Sequence, residues 1–137
     1  YNGSFLYAEN FSIGMNIFLE INEQLAQIMD NSEYKCTINE VHHKEKIDAP
    51  SGTAKNLAKV THDLLGYHPK ITYDRKNNVI GDHSVIYSSK ADTIKIEHIA
   101  KNRDAFVYGA LLSAKWLINK KGFFNFKDVL RNNENIM

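Results

Sequence analysis

An α+β domain is what this sequence predicts: a mostly antiparallel, mixed four-stranded sheet with helices packed on one face. Two observations carry that expectation. Three stretches repeat apolar residues every three or four positions, and others alternate apolar with polar residues. They fall in the order helix, strand, helix, two or three strands, helix, which suits helices covering one side of an antiparallel sheet.

Ser4 to Ala8 is a short apolar run with the look of a strand end. Asn10 and Ser12 then offer caps to a helix reaching about Asp30. Its apolar stripe is Ile13, Ile17, Phe18, Ile21, Leu25, Ile28 and Met29, with Glu20, Glu23, Gln24 and Gln27 left for water. Tyr34 to His43 alternates and reads as a half-buried strand. Pro50 keeps Ala49 out of helical angles, so the next helix starts after it. Ser51 is its expected cap, and Ala54, Leu57, Ala58, Thr61, Leu64 and Leu65 form its inner stripe up to Gly66. Ile71 to Tyr73 is a short strand, followed by a turn at Asn77-Asn78. Ser84 to Ser88 and Thr93 to Ile99 are rich in β-branched residues around Lys90-Ala-Asp92, the pattern of a hairpin. From Asp104 the helical period returns through Phe106, Val107, Ala110, Leu111, Ala114, Leu117 and Ile118 to Gly122. Phe123 to Phe126 and a short helix around Val129 complete a tail that turns polar.

The bulk numbers fit one domain. The chain has 137 residues, 43% hydrophobic and 24% charged, with a formal charge of +1. That balance gives no basic field for nucleic acid or an anionic membrane. The most apolar run, Ala105 to Ile118, is interrupted by Lys115 and is too short to span a bilayer. Cys36 stands alone, which excludes an internal disulfide and suits a reducing, cytoplasmic setting. The chain opens at Tyr1 with no initiator Met, so a piece of a longer protein is expected.

The chemistry is concentrated in Glu40-Val-His-His-Lys-Glu-Lys-Ile-Asp-Ala-Pro-Ser-Gly-Thr53. It sets two imidazoles and two lysines beside the start of a helix, whose free N–H groups attract an anion. His42 and Lys46 are four residues apart and can address one ligand on either an extended or a helical segment. Gly52 allows close approach to the backbone, and Ser51 and Thr53 offer hydroxyls to a carboxylate. The same triplet is also explained by a plain helix cap after a proline turn. A metal is not expected: adjacent histidines rarely share an ion, and Lys44 and Lys46 repel a cation. His62 and His68 read as surface residues, and His83 and His98 as structural residues of the hairpin. No phosphate loop or dinucleotide glycine fingerprint is present. The sheet face bearing Ser84, Ile86, Ser88, Thr93, Lys95, Glu97 and Ile99 is mixed, open to either solvent or a subunit contact.

Glu40 to Ala54 resembles the signature of dihydrodipicolinate reductases. Asn10 to Asn16, Gly81-Asp-His-Ser-Val85, Glu97 to Arg103, Gly109-Ala and Ala114-Lys-Trp116 resemble the same family in order along the chain. The resemblance implies a two-domain reductase, of which this chain carries the substrate-binding and oligomerisation domain over 12–120. Residues 1–11 would be the connecting strand and interdomain loop, 121–137 a C-terminal tail, and the N-terminal Rossmann domain is absent from the chain. It implies that NADPH or NADH, held mainly by that missing domain, reduces 4-hydroxy-tetrahydrodipicolinate in lysine (diaminopimelate) biosynthesis. His42 would be the general acid and Lys46 its partner and substrate anchor. His43, Ser51, Gly52, Thr53 and Arg103 would hold the dicarboxylate. Ala8, Glu9, Asn10 and Phe11 would touch the nicotinamide end. It also implies a homotetramer built through the sheet face. From a different class, a stand-alone dicarboxylate-binding or scaffold module without catalysis accounts for the same pocket.

Overall fold

The computed structural model describes residues 2–132; Tyr1 and 133–137, the end of the expected tail, lie outside the described residues. The elements are β1 (Ser4–Tyr7), α1 (Ile13–Met29), β2 (Lys35–His42), α2 (Gly52–Leu65), β3 (Lys70–Arg75), β4 (Asp82–Ser88), β5 (Thr93–Ile99), α3 (Asp104–Leu117), β6 (Gly122–Asn125) and α4 (Phe126–Arg131). They form two compact units, one of Phe18–Asn102 and one of residues 1–17 with 103–137.

The larger unit is built on a four-stranded mixed sheet in the order β3-β2-β4-β5. β2 runs parallel to β3 and antiparallel to β4, and β4 and β5 form the expected hairpin. β2 alternates as its sequence demands. Cys36, Ile38, Glu40 and His42 are buried, while Thr37, Asn39 and Val41 point to the other side half-covered. Two helices cover the buried face. α2 lays Ala54, Leu57 and Thr61 against it, and α1 contributes Phe18, Asn22, Ala26 and Met29. The Tyr87 hydroxyl donates to Asn22 Oδ1 at 3.2 Å, which explains a polar residue in the helix stripe.

α2 starts at Gly52, with Ser51 as its cap, and closes on Gly66 at φ 72. That left-handed angle is one glycine adopts without penalty, and its N–H reaches His62 O at 2.8 Å. The opposite sheet face satisfies much of its own polarity. Asn39 donates to Thr72 at 2.9 Å, Lys95 pairs with Glu97 at 2.8 Å, and Ile99 is exposed.

In the smaller unit β1 and β6 form a parallel two-stranded sheet, a pairing the sequence did not announce. Phe5 stacks on Phe123 at 5.1 Å, and α4 carries a full capping box between Asn125 and Asp128. α3 buries Gly109 and Ser113. Gly109 is there for contact: a Cβ would lie 1.7 Å from the Phe11 carbonyl oxygen, so any side chain forces the backbones apart.

Two helix faces differ from the sequence expectation. In α1, Ile17, Ile21 and Ile28 are exposed while Met15, Asn22 and Ala26 are buried. In α3, Val107 and Leu111 are exposed, as is Ile118 just past its end. Both helices carry more apolar residues than one face can take, so the inner stripe falls where small residues allow close packing. Among the described residues, no helix is long and apolar enough to cross a membrane.

Candidate functional site

The site is two neighbouring rows running across the buried sheet face. In register, Tyr73 of β3, Glu40 of β2, His83 of β4 and His98 of β5 make the first row. Arg75 of β3 sits beside His42 of β2 in the second, and Gly81 borders His42 on the other flank. The parallel β2–β3 pairing therefore brings a guanidinium next to the imidazole.

Glu40 is the centre. It is fully buried, and its Oε1 accepts the Ser51 N–H at 2.9 Å. Its Oε2 accepts the Ser51 hydroxyl and lies 3.4 Å from His83 Nε2 and 3.7 Å from His42 Nδ1. Burial pushes its pKa up, but the hydrogen bonds from His83 and from Ser51 and the charge of His42 outweigh that and hold it at about 2. The carboxylate stays ionised in the core because donors surround it.

His42 ends β2 and is 6% exposed. Burial lowers its pKa most, followed by the neighbouring imidazole of His83. Glu40 works in the opposite sense, while Lys46 and Arg75 lower it further, to about 4. It is a neutral imidazole at pH 7. Its Nδ1 is buried without a hydrogen-bond partner among the described residues. His98 in the same region is also lowered, first by burial and then by His83.

Residues 43–50 form the loop between these rows and α2. Lys46 N–H closes a turn on His43 O, and Lys46 Nζ pairs with Asp48 at 2.7 Å. Arg75 clamps the loop from β3, donating to Lys46 O at 3.2 Å and Asp48 O at 2.8 Å. His43 is half-buried and meets Glu45 at 3.0 Å. The Ala49–Pro50 peptide is cis.

Ser51 caps α2, accepting from Ala54 N at 3.2 Å. Its single hydroxyl proton goes to Glu40, so it has none left to donate to a ligand. The first N–H groups of α2, at Gly52 and Thr53, have no acceptor within the helix. A Cβ on Gly52 would meet nothing within 4 Å, so its backbone faces open space.

Arg103 belongs to the smaller unit. It precedes α3 as the N-cap residue, exposed and with no side-chain capping bond. Glu9, Asn10 and Phe11 line a surface cavity of about 440 Å³ with Phe106, Val107 and Ala110 of α3; Ala8 is outside that lining. Glu40, His83, Arg75 and Gly81 join the site only in three dimensions; for Glu40, a charged residue on the inward side of an alternating strand is the signal in the sequence that marks it.

Glu40, His42 and His83 each offer one possible metal-ligand atom, all within 4.8 Å of one another. Their surroundings do not suit a cation: Lys46 and Arg75 act on His42, and Ser51 already donates twice to Glu40.

The family described as dihydrodipicolinate reductase, C-terminus, matches residues 14–130. The 4-hydroxy-tetrahydrodipicolinate reductase of Christiangramia forsetii is 40% identical over 146 residues, covering 94% of this chain and 59% of that protein. That of Thermosipho africanus is 41% identical over 123 residues, covering 89% and 54%. The chain thus spans about half the length of the curated relatives it matches. A solved structure, dipicolinate-bound dihydrodipicolinate reductase from Paenisporosarcina sp. TG-14, superposes with a TM-score of 0.76 at 20% identity, over 90% of this chain and 53% of that one, and shows the same fold. With the match running across the whole Glu40–Thr53 site, the chain belongs to the dihydrodipicolinate reductase family, in its C-terminal part.

Proposed function

We propose that this chain is the substrate-binding and oligomerisation part of an NAD(P)H-dependent reductase that converts 4-hydroxy-tetrahydrodipicolinate to tetrahydrodipicolinate. The observation that carries the reading is a buried, neutral His42 beside a lysine and an arginine, on the sheet row next to the Glu40–Ser51 link that anchors the start of α2. The names of the relatives support the substrate, as does the dipicolinate bound by the Paenisporosarcina protein.

A dianionic ring needs donors at its carboxylates. The N–H groups of Gly52 and Thr53 and the Thr53 hydroxyl take one carboxylate at the positive end of α2. His43 adds a ring nitrogen and Lys46 a cation once released from Glu45 and Asp48, and Ser51 contributes by fixing the turn. Arg103 is a further cation for the dicarboxylate on the strength of the sequence alone.

His42 then supplies the proton. In the free protein at neutral pH the ring is neutral, with one nitrogen protonated and the other bare. A doubly negative ligand beside it favours the imidazolium, so the acid forms only when substrate is present. Loss of the 4-hydroxyl as water leaves a conjugated imine; with hydride added at the carbon that bore the hydroxyl, His42 gives its proton to the neighbouring ring carbon, and solvent restores it.

The nicotinamide cofactor, NADPH or NADH, supplies the hydride when bound. We assign the nicotinamide ring to the cavity lined by Glu9, Asn10, Phe11, Phe106, Val107 and Ala110, with Ala8 next to it in sequence. None of those six residues is cationic. A cytoplasmic setting and a place in lysine biosynthesis belong to the same proposal.

In the reductase that carries this chain, His42→Gln or Lys46→Ala should lower kcat about 100-fold, the scale of losing a general acid. Near-normal turnover in both variants overturns the assignment. Residues 12–120 are also proposed to form a homotetramer through the mixed sheet face. Light scattering should give four protomers, and a monomeric mass would remove that part of the proposal.

A further inference from the structure

We propose that Glu40 is the positioning residue of the site: a buried carboxylate that holds the proton on His42 Nδ1 and leaves Nε2 as the nitrogen that faces the ligand. The inference rests on the role given to His42 above.

The geometry has three parts. First, Glu40 cannot swing away. One oxygen is fixed by the Ser51 N–H at 2.9 Å, and the other is tied by the Ser51 hydroxyl with His83 Nε2 at 3.4 Å. Second, His42 Nδ1 is a buried polar atom without a hydrogen bond, and the carboxylate oxygen is 3.7 Å away. Buried nitrogens of this kind are normally satisfied, and catalytic hydrogen bonds are often long until a ligand draws them in. A small ring movement turns this contact into an Nδ1–H···O⁻ bond. Third, the other ring nitrogen is kept clear. Gly81 is the neighbour there, and a Cβ at that position would sit 3.1 Å from Nε2 and 3.2 Å from Cδ2.

A helix cap alone does not account for this carboxylate. Ser51 caps α2 by itself, through Ala54 N. An ionised group at zero exposure is expensive to keep, and a neutral amide would accept the Ser51 N–H as well. The charge matters for the imidazolium. Among the groups acting on His42, Glu40 favours the protonated ring, whereas His83 on β4, Lys46 in the loop and Arg75 on β3 disfavour it. Glu40 therefore sets both the orientation of the ring and the pH at which it can act as an acid.

The test is Glu40→Gln, which keeps the shape and an acceptor but removes the charge. In the reductase that carries this chain, kcat should fall 10- to 100-fold with KM changed less than threefold. The alkaline limb of the kcat profile should move to lower pH, because the imidazolium has lost its anionic neighbour. Glu40→Asp should recover part of both effects. Nitrogen-15 NMR of the histidine rings in this chain should show His42 in the Nδ1–H tautomer, and a mixture in Glu40→Gln. A folded Glu40→Gln variant with an unshifted pH profile and an unchanged His42 tautomer overturns the proposal, even if kcat is reduced. If His42→Gln retains full turnover, the function itself has failed. If His42→Gln is inactive while Glu40→Gln keeps the wild-type profile, only the positioning role has failed.

Discussion

One sheet face carries two regions with opposite chemistry. At one end Cys36, Tyr87 and Ile94 lie across the strands, and next to them Ile71, Ile38, Val85 and Ile96. At the other end, two residues further along β2, the rows hold Tyr73, Glu40, His83 and His98, then Arg75 and His42. In the first region burial pushes the Cys36 thiol up to about 11 and raises the Tyr87 hydroxyl, so both stay neutral. In the second, burial of the same kind is overruled, and donors hold Glu40 ionised at about 2. Burial still governs His42 and His98, both lowered first by it. Depth therefore decides charge except where donors close on a group, as the Ser51 N–H and hydroxyl do on Glu40. The apolar rows stabilise the sheet, and the polar rows use the rigidity that results.

That division can be broken from either side. The largest effect is expected at Ile38, which is fully buried in the apolar region. Ile38→Ala should lower unfolding free energy by about 2–5 kcal/mol, read from the urea midpoint, through lost transfer energy and the cavity left behind. The variant should keep its activity per folded molecule at low temperature. A selective loss of turnover instead would show that the two regions are coupled.

Next comes acid. His42 has a folded pKa of about 4, below its unfolded value near 6.5. The unfolded chain therefore binds the proton first. No penalty exists above pH 6.5, it grows as pH falls, and it is complete below pH 4. The linkage amounts to about 3 kcal/mol, from about 2.5 pKa units at 1.36 kcal/mol each. His98, lowered in the same direction, adds to the same window. Glu40 acts lower down: its stabilisation is present above its unfolded value near pH 4.5 and is lost as pH falls through about 2. Urea midpoints at pH 7.5, 5.5 and 4 should fall steadily, and His42→Gln should flatten most of that slope. An unchanged slope in the variant would mean that His42 is not the buried base.

Much of this was readable from the residues, and the rest fails for physical reasons. β5 lies where β-branched residues place it, and Ser51 caps α2 as a serine after a proline turn should. Local pattern is sufficient for both. The β1–β6 sheet joins residues more than a hundred positions apart through four-residue strands, too short for any period to show. The site needs β3 parallel to β2, because only that pairing sets Arg75 beside His42. No alternation within β3 contains it. His83 reads as a strand residue until its register opposite Glu40 is known. The faces of α1 and α3 went wrong because surplus apolar residues such as Ile28 and Val107 look like core, while Ala26 and Gly109 do the packing.

If Gly52 holds a carboxylate as proposed, the demands of function and of folding part company there. Its backbone has ordinary helical geometry and nothing within 4 Å of a would-be side chain, so the fold itself has no quarrel with alanine there. Alanine is the better helix former by up to about 1 kcal/mol. A library sorted only for heat resistance would drift toward filling that gap, and on the carboxylate role proposed for Gly52 would return sturdier molecules that hold an anion less well.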